Sequence, residues 1–263
     1  MKQDESLKNK VVFITGASSG IGRALAYRYA RAGANVILAG LDLDAISIIE
    51  KKLTEKFQKC LAIKCNVDFD NDLQEAVNTG IKEFGHIDIA IANAGFGLHG
   101  KLEELNINDY KRQFETNVFG VLRTIYATLP ELKKTKGVIC IIGSVNGILP
   151  FSVGTSPYTM SKFAVRGLIQ ILSLELEPYD VSVVHAMPGF VATNFDRGMS
   201  DKEKRKYNWL KITADQAADS IFKAIKKRKI EVVISRFGKF AVYLERYVPT
   251  LVRWVSRLFV KYQ

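Results

Sequence analysis

The chain is poor in cysteine, histidine and proline, and this scarcity excludes several classes of protein. Its 263 residues include three cysteines, three histidines and six prolines. The cysteines have neither a disulfide framework nor metal-ligand spacing, so we expect Cys60, Cys65 and Cys140 to be buried free thiols in a reducing compartment. The histidines form no recognisable metal set either. No metal site is predicted.

Long apolar runs are also missing. No run approaches the roughly 18 residues that a membrane-spanning helix needs. The first ten residues, MKQDESLKNK, are polar and lack the apolar core of a secretory signal. The sequence therefore predicts a cytoplasmic protein, and leaves peripheral contact with a membrane surface open.

The positive charge is concentrated towards the C-terminus. The formal net charge is +11, and the segment from Arg197 onwards carries 17 Lys/Arg against 6 Asp/Glu, so the whole excess belongs to this quarter. A basic segment is one signature of nucleic-acid binding. Apolar aromatic residues at helical spacing accompany the charge here, which fits a membrane or a protein partner better. We therefore predict no nucleic-acid partner.

Short apolar runs alternate with segments of helical spacing along the chain. The first run, residues 11–14, shows no alternation of apolar and polar residues, as expected for a strand buried on both faces of a parallel sheet. The runs cover residues 11–14, 35–39, 61–65, 87–92, 137–143, 181–186 and 230–235. This order predicts an α/β fold: a doubly wound, parallel, seven-stranded, Rossmann-like sheet over residues 1–235. Residues 236–263 would form a C-terminal amphipathic extension of that domain.

A glycine-rich turn follows the first predicted strand. Residues 15–22 read TGASSGIG and open directly into a predicted helix. Glycines there permit a tight turn, a close approach of backbone to phosphate, and close packing of helix on strand. The helix N-terminus offers free N–H groups to a pyrophosphate. The turn is therefore a candidate dinucleotide site, although a glycine turn after a strand is often only a turn.

Tyr158 and Lys162 are four residues apart and share one face of a predicted helix. A phenol ordinarily titrates near 10, and a nearby ammonium favours its ionised form. Ser144, at the end of the fifth predicted strand, lies where open α/β sheets bind ligands. The three residues would form a proton-transfer site for a carbonyl or alcohol. Taken alone, such a pair is far more often an ordinary exposed helix pair.

Two further signals concern asparagine. Asn93-Ala94-Gly95 ends the fourth predicted strand, and Asn117 lies inside a helix predicted over about residues 109–129. Asparagine is unfavourable in mid-helix because its side chain competes with the backbone. It could face solvent, but its neighbours Val118 and Phe119 indicate a buried segment.

Together these motifs resemble the short-chain dehydrogenase/reductase family, from about Lys8 to Ile234. The matching features are the glycine turn, Asn93-Ala94-Gly95, Asn117, Ser144, Tyr158-x3-Lys162 and Pro188-Gly189. The resemblance implies an NAD(P)(H)-dependent oxidoreductase that interconverts a secondary alcohol and a ketone. It also makes a hydrophobic or lipid-like substrate a reasonable hypothesis. The alternative is a non-catalytic NAD(P)-binding sensor or scaffold on the same fold.

The resemblance also implies a role for each catalytic candidate. Tyr158 would be the general acid/base, and Ser144 would orient and polarise the carbonyl. Lys162 would lower the pKa of Tyr158 and bind the nicotinamide ribose, while Asn117 would hold a proton-relaying water. The implied cofactor-binding residues are Gly16, Ser18, Ser19, Gly20, Ile21, Leu41, Asn66, Val67, Asn93, Ala94, Gly95, Tyr158, Lys162, Pro188, Gly189, Val191 and Thr193.

The adenosine end departs from the common family patterns. NAD-dependent relatives often have an aspartate where this chain has Gly40, and NADP-dependent relatives often have a basic residue where it has Leu41 or Ser19. Neither marker of cofactor preference is present here. A 2′-phosphate needs a cation or several donors, and Asp42 would repel it if turned inward. The choice between NAD and NADP is left open, with a slight electrostatic preference for NAD.

The C-terminal quarter carries the remaining predictions. Residues 190–211 would form a substrate lid or an ordinary surface loop. Beyond residue 235 the chain has six basic residues, one acidic residue and seven aromatics, and Pro249 suits the first turn of a helix. That tail would lie on a membrane surface, pack on a second subunit, or cap the substrate cleft. By analogy with relatives we expect a homodimer or homotetramer that pairs through the helices beginning near Asp109 and Tyr158.

Overall fold

The structure is a computed structural model that describes residues 6–57, 59–149, 153–193, 195 and 210–250. Within them, the strands are β1 Val11–Thr15, β2 Asn35–Gly40, β3 Cys60–Lys64, β4 Ile89–Ala92, β5 Val138–Ile142, β6 Ser182–Met187, β7 Val191–Ala192, β8 Ile212–Thr213 and β9 Glu231–Val233. Each predicted strand is present, with boundaries shifted by a few residues at most.

The helices alternate with these strands. They are α1 Gly20–Arg31, α2 Leu43–Thr54, α3 Asp70–Phe84, α4 Ile107–Phe114, α5 Gly120–Thr135, α6 Ser156–Leu176, α7 Ala214–Lys226 and α8 Arg236–Tyr247. A π-helical turn, Glu115–Phe119, joins α4 to α5, and Val145–Gly147 forms a short 3₁₀ turn after β5.

Seven parallel strands form the main sheet in the order β3-β2-β1-β4-β5-β6-β9. The chain moves outwards from β1 to β3, then returns to β4 on the other side of β1. This doubly wound, Rossmann-like arrangement confirms the predicted fold class. The strand order reverses between β1 and β4, where open α/β sheets form a ligand crevice at their carboxyl ends. A separate parallel pair, β7 with β8, was not predicted.

Two apolar layers cover the sheet. Helices α1, α2 and α7 bury residues such as Leu25, Ile46 and Phe222 on one face. On the other face, α3, α5 and α6 bury residues such as Leu73 and Ile169. Every residue of β1 is buried, which explains why its apolar run shows no alternation.

The prediction of an unbroken helix over 109–129 is wrong in its middle. Backbone bonding there widens from the α to the π pattern over Glu115–Phe119, where the amide of Gly120 donates to the carbonyl of Glu115. Single π turns inside α-helices are frequent at functional sites. This one contains Asn117.

The C-terminal region begins differently from its prediction. The helix expected to start near Pro249 is preceded by α8, which Ser235 caps by accepting a hydrogen bond from the amide of Gly238. Gly238 packs against Val145, so α8 starts beside the turn that follows β5. The tail from residue 251 onwards, and residues 194 and 196–209 of the predicted lid, lie outside the described residues.

Two further findings bear on the environment of the chain. Cys60, Cys65 and Cys140 are buried thiols that form no disulfide, as expected. Among the helices in the described ranges, none combines the length and the apolar character needed to cross a bilayer.

Candidate active site

The glycine turn lies at the crevice between β1 and β4. Gly16 and Gly20 have positive φ angles of 66° and 55°, which glycine adopts without strain. A Cβ on Gly22 would lie 2.3 Å from the carbonyl oxygen of Gly16, so the helix could not pack this closely with any side chain there. The turn therefore brings bare backbone to the crevice, as a bound pyrophosphate requires.

Helix α1 opens directly from this turn. Its N-cap residue, Ser19, makes no capping bond through its side chain, and the first turn contains no acidic residue. The first amides of a helix have no partner within the helix and carry its positive dipole end. This N-terminus is thus suited to an anionic group, which is the fit expected for a dinucleotide phosphate.

Asn93 and Thr15 join the glycine turn to the end of β4. The side-chain amide of Asn93 donates to the carbonyls of Thr15 and Gly16, at 2.9 and 3.1 Å. The hydroxyl oxygen of Thr15 accepts from the amides of Asn93 and Ala94, at 3.0 and 3.1 Å. These bonds set the spacing of the two strand ends between which a cofactor would lie.

At the end of the cleft predicted to hold the adenosine, β2 finishes in Gly40, which Leu41 follows, and β3 leads into Asn66 and Val67; all four line the same cleft. Asp42 begins α2, and its carboxylate accepts the amide of Ala45 at 2.9 Å. The side chain is therefore committed as a helix cap. The slight preference for NAD loses the support it drew from Asp42 and keeps only the lack of a cation at Ser19, Gly40 and Leu41, so the choice of cofactor stays open.

Ser144 sits at the carboxyl end of β5, where the prediction placed it. It is buried, lines the cleft, and begins the 3₁₀ turn by accepting the amide of Asn146 at 3.1 Å. Because its oxygen accepts this bond, the hydroxyl proton remains available for a second group. A substrate oxygen in the cleft could take that proton as a hydrogen bond.

Tyr158 and Lys162 lie in the first turns of α6 and face the same cleft. The Lys162 ammonium is 5.6 Å from the centroid of the Tyr158 ring and donates to the carbonyl of Ile142 at 3.0 Å. Burial lowers the pKa of Lys162 from its ordinary 10.5 to about 8. The ammonium therefore persists at neutral pH, inside the protein and beside the phenol.

The π turn orients Asn117, which is fully buried. Its side chain accepts from the amide of Phe96 at 3.0 Å, donates back to the Phe96 carbonyl at 2.9 Å, and donates to Ser161 Oγ at 3.2 Å. Both amide hydrogens are thereby used within the protein. Because Asn117 is buried, the alternative prediction of a solvent-facing asparagine is wrong. Its side chain does not line the cleft either.

The segment after β6 closes the far side of the cleft. The Pro188 carbonyl accepts from the amide of Val145 at 3.0 Å, which ties this segment to the 3₁₀ turn. Val191 belongs to the small β7–β8 sheet. Thr193 Cγ2 would lie 3.3 Å from a Cβ on Gly20, so the segment reaches across to the glycine turn.

The cleft, of about 620 Å³, collects the predicted residues into one site. All seventeen predicted cofactor-binding residues line it, as does Ser144, whereas Asn117 does not. A family model described as short chain dehydrogenase matches residues 10–204.

The chain belongs to the short-chain dehydrogenase/reductase family. It is 30% identical over 270 residues to the dehydrogenase/reductase SDR family protein 7-like of Dictyostelium discoideum, covering 98% of this chain and 84% of the relative.

Two solved structures share the fold of this chain. One, a short chain dehydrogenase/reductase from Burkholderia phymatum in complex with NAD, superposes with a TM-score of 0.84 at 25% identity, covering 94% of this chain and 96% of the other. The other, an alcohol dehydrogenase from Thermococcus sibiricus complexed with 5-hydroxy-NADP, gives 0.77 at 29% identity, covering 86% and 96%.

Sequence reasoning missed the aromatic side chains of this short-chain dehydrogenase cleft. Phe96, Phe190 and Phe195 line it. The rings of Tyr158 and Phe195 meet edge to face, with centroids 5.4 Å apart. A phenylalanine in a loop carries no chemical signature in the sequence, because only the fold turns it towards the site.

Gln113 was also missed. It lies one helical turn before Asn117 and is fully buried, although its place in a polar helical stretch suggested a surface residue. Its one available signal was the four-residue spacing from Asn117, which places both amides on the same helix face.

Proposed function

We propose that this chain is an NAD(P)(H)-dependent oxidoreductase that interconverts a secondary alcohol and a ketone. The observation that carries the proposal is the buried Lys162 ammonium, 5.6 Å from the Tyr158 ring in a cleft that also contains Ser144 and the glycine turn. Relatives bound to NAD and to a modified NADP support both forms of the cofactor.

The residues divide the work as follows. A bound nicotinamide supplies or accepts the hydride. The Ser144 hydroxyl donates a hydrogen bond to the substrate oxygen, and Tyr158 Oη gives a proton to that oxygen during reduction or removes it during oxidation. The Lys162 ammonium favours the phenolate by charge attraction, and its remaining hydrogens would bind the nicotinamide ribose. By bonding Ser161 and the backbone of Phe96, Asn117 holds α6 and the loop after β4 in the positions that a proton-relaying water would need.

The substrate we propose is hydrophobic. Phe96, Phe190 and Phe195 give the cleft an apolar wall beside Tyr158. Burying a substrate's apolar surface against these rings stabilises its complex by roughly 25 cal/mol per Å². Long-chain or aryl ketones would gain more from this wall than short polar ones.

The test combines cofactor binding with turnover. NADH and NADPH are titrated into wild-type and Tyr158→Phe protein, and oxidation of each is then followed with acetophenone and a series of methyl ketones up to 2-dodecanone. We expect both proteins to bind a cofactor and only the wild type to turn over. Binding by the wild type without any turnover would favour the sensor alternative. Undiminished turnover by Tyr158→Phe would refute the proposed chemistry.

We further propose a homodimer or homotetramer formed through α5 and α6. Four exposed apolar residues of α6 lie three or eight positions apart, which places them on one outer face of the helix, namely Met160, Phe163, Ile171 and Leu174; Tyr126 of α5 is 73% exposed. A second copy of the chain would cover this apolar face. Light scattering should show that Leu174→Asp lowers the molecular mass, whereas Leu102→Asp, in a loop, leaves it unchanged. Equal mass for wild type and Leu174→Asp would exclude this interface.

Peripheral membrane contact is proposed for α8. Phe237, Phe240, Tyr243 and Tyr247 lie within one arc of this helix and are between 41% and 63% exposed, and Lys239 flanks them. An aromatic face beside basic residues suits an anionic lipid surface. Full-length protein should sediment with phosphatidylserine-containing vesicles, and Phe240→Glu should weaken this. Ile48→Glu, an exposed apolar residue on α2, is the matched control. Unchanged sedimentation of Phe240→Glu would remove α8 from the contact.

A further inference from the structure

Gln113 uses both ends of its side-chain amide on the loop that follows β4. Its Oε1 accepts from the amide of Leu98 at 2.8 Å, and its Nε2 donates to the carbonyl of Phe96 at 2.7 Å. The side chain is fully buried. A buried amide is costly unless its polar atoms are paired, and here both are paired with backbone outside the helix.

Asn117 makes the same kind of contact one turn later. It bonds the amide and the carbonyl of Phe96, so the two side chains together make four hydrogen bonds to the backbone of residues 96–98. Asn117 also donates to Ser161 of α6, whereas both side-chain hydrogen bonds that Gln113 makes within the described part of the chain go to the loop. Gln113 is therefore the residue whose loss would release the loop without touching the helix of Tyr158.

That loop shapes the cleft next to the reacting group. Phe96, Gly97 and His99 line it. A Cβ on Gly97 would lie 2.9 Å from the ring of Phe195, which in turn meets the Tyr158 ring. A displacement of the Gly97 backbone would therefore move the aromatic wall against Tyr158.

We propose that Gln113 is a positioning residue of the active site, which fixes the loop at residues 96–98 and thereby the substrate-side wall of the cleft. The inference rests on the proposed function, because the wall matters only if a substrate reacts there. Gln113 touches neither the substrate nor the cofactor in this role. Its effect is on how well a ketone is held near Tyr158.

Gln113→Glu is the sharpest test, because it keeps the shape of the side chain. The ionised carboxylate still accepts from Leu98 but cannot donate to the Phe96 carbonyl, and would face that oxygen unfavourably. The protonated acid can donate. Burial raises the pKa of an introduced carboxyl. The variant should therefore approach wild-type behaviour at low pH and depart from it as pH rises.

The measured quantity is kcat/KM of the variant divided by that of the wild type at each pH from 5.5 to 8.5, with the best ketone of the methyl-ketone series. We expect this ratio to fall about tenfold across the range, mainly through KM, while the Kd for cofactor stays within about twofold. Gln74→Glu, an exposed change of the same charge on α3, should give a flat ratio. A flat ratio for Gln113→Glu as well would overturn the proposal.

A second readout needs no turnover. In cofactor-free Gln113→Leu protein, hydrogen exchange of peptides covering residues 96–98 should accelerate at least tenfold while α6 peptides keep wild-type rates. Unchanged exchange in the loop would also overturn the proposal. The Tyr158→Phe experiment separates the two claims. If Tyr158→Phe is inactive but Gln113 variants are normal, the proposed function stands and the inference fails; if Tyr158→Phe turns over normally, the proposed function fails and the inference with it.

Discussion

Replacing Lys162 should stabilise the protein while abolishing its activity. The ammonium is buried and its pKa falls from 10.5 to about 8. Each pKa unit corresponds to about 1.36 kcal/mol, so holding the charged form at pH 7 costs roughly 3 kcal/mol of stability. Lys162→Met removes this cost and fills a similar volume. It also loses the bond to the Ile142 carbonyl, worth about 1 kcal/mol. The net gain expected at pH 7 is about 2 kcal/mol.

The difference in stability between Lys162→Met and the wild type should depend on pH. Between pH 8 and 10.5 the unfolded chain binds more protons at Lys162 than the folded one, so wild-type stability rises with pH relative to the variant. By pH 9.5 the advantage of Lys162→Met should have fallen by about 2 kcal/mol, to near zero.

Urea unfolding of cofactor-free protein at pH 7 and 9.5 measures both values, and Lys82→Met is the control. Lys82 is an exposed residue of α3, so its replacement should change stability by less than about 0.5 kcal/mol at either pH. If Lys162→Met proves less stable than wild type at pH 7, burial of the charged ammonium does not lower the free energy of unfolding by roughly 3 kcal/mol.

Three further predictions follow from the same structure. Gly22→Ala should abolish cofactor binding, because its Cβ would lie 2.3 Å from the Gly16 carbonyl; calorimetric titration with NADH and NADPH checks this. Leu41→Arg should improve the NADPH-to-NADH affinity ratio at least tenfold, since a charge-assisted bond adds roughly 1.5–3 kcal/mol; an unchanged ratio would place the 2′-phosphate elsewhere. Burial raises the pKa of Cys60 and Cys65 to about 12 and raises that of Cys140 as well. A chromogenic disulfide reagent at pH 8 should thus react slowly with the native protein and rapidly with all three thiols in urea.

The strands and the cleft motifs were predictable because their signals are local. An unbroken apolar run such as Val11–Thr15 needs no distant partner to indicate a buried strand, and the glycines at 16 and 20 indicate a left-handed backbone conformation directly. The catalytic candidates were found by their residue types and their order along the chain. The structure then brings Ser144, Tyr158 and Lys162 to one cleft from two different elements.

The rest could not be predicted because it depends on contacts between distant segments. The π turn at Glu115–Phe119 forms where a helix must present Asn117 to a loop 21 residues earlier, and helix propensity contains no such information. Gln113 lies in a polar stretch of sequence, and only its contacts with that loop account for its burial. Asp42 illustrates the opposite case: its capping bond to Ala45 is local, and its position before an apolar helical repeat could have revealed it.

The π turn also bears on how this chain tolerates changes in length. A π turn contains one residue more than the α-helical path between the same two points, and each α-helical residue turns the chain by about 100°. Deleting one residue from Glu115–Phe119 would therefore leave an α-helical path between the same two points, so α4 and α5 could both keep their places. Deleting one residue from within α5 would instead rotate α4 by about 100° and take Gln113 out of its loop. The extra residue lets the two halves of this helix keep different registers: packing on the sheet sets the register of α5, and the loop at the cleft sets that of α4.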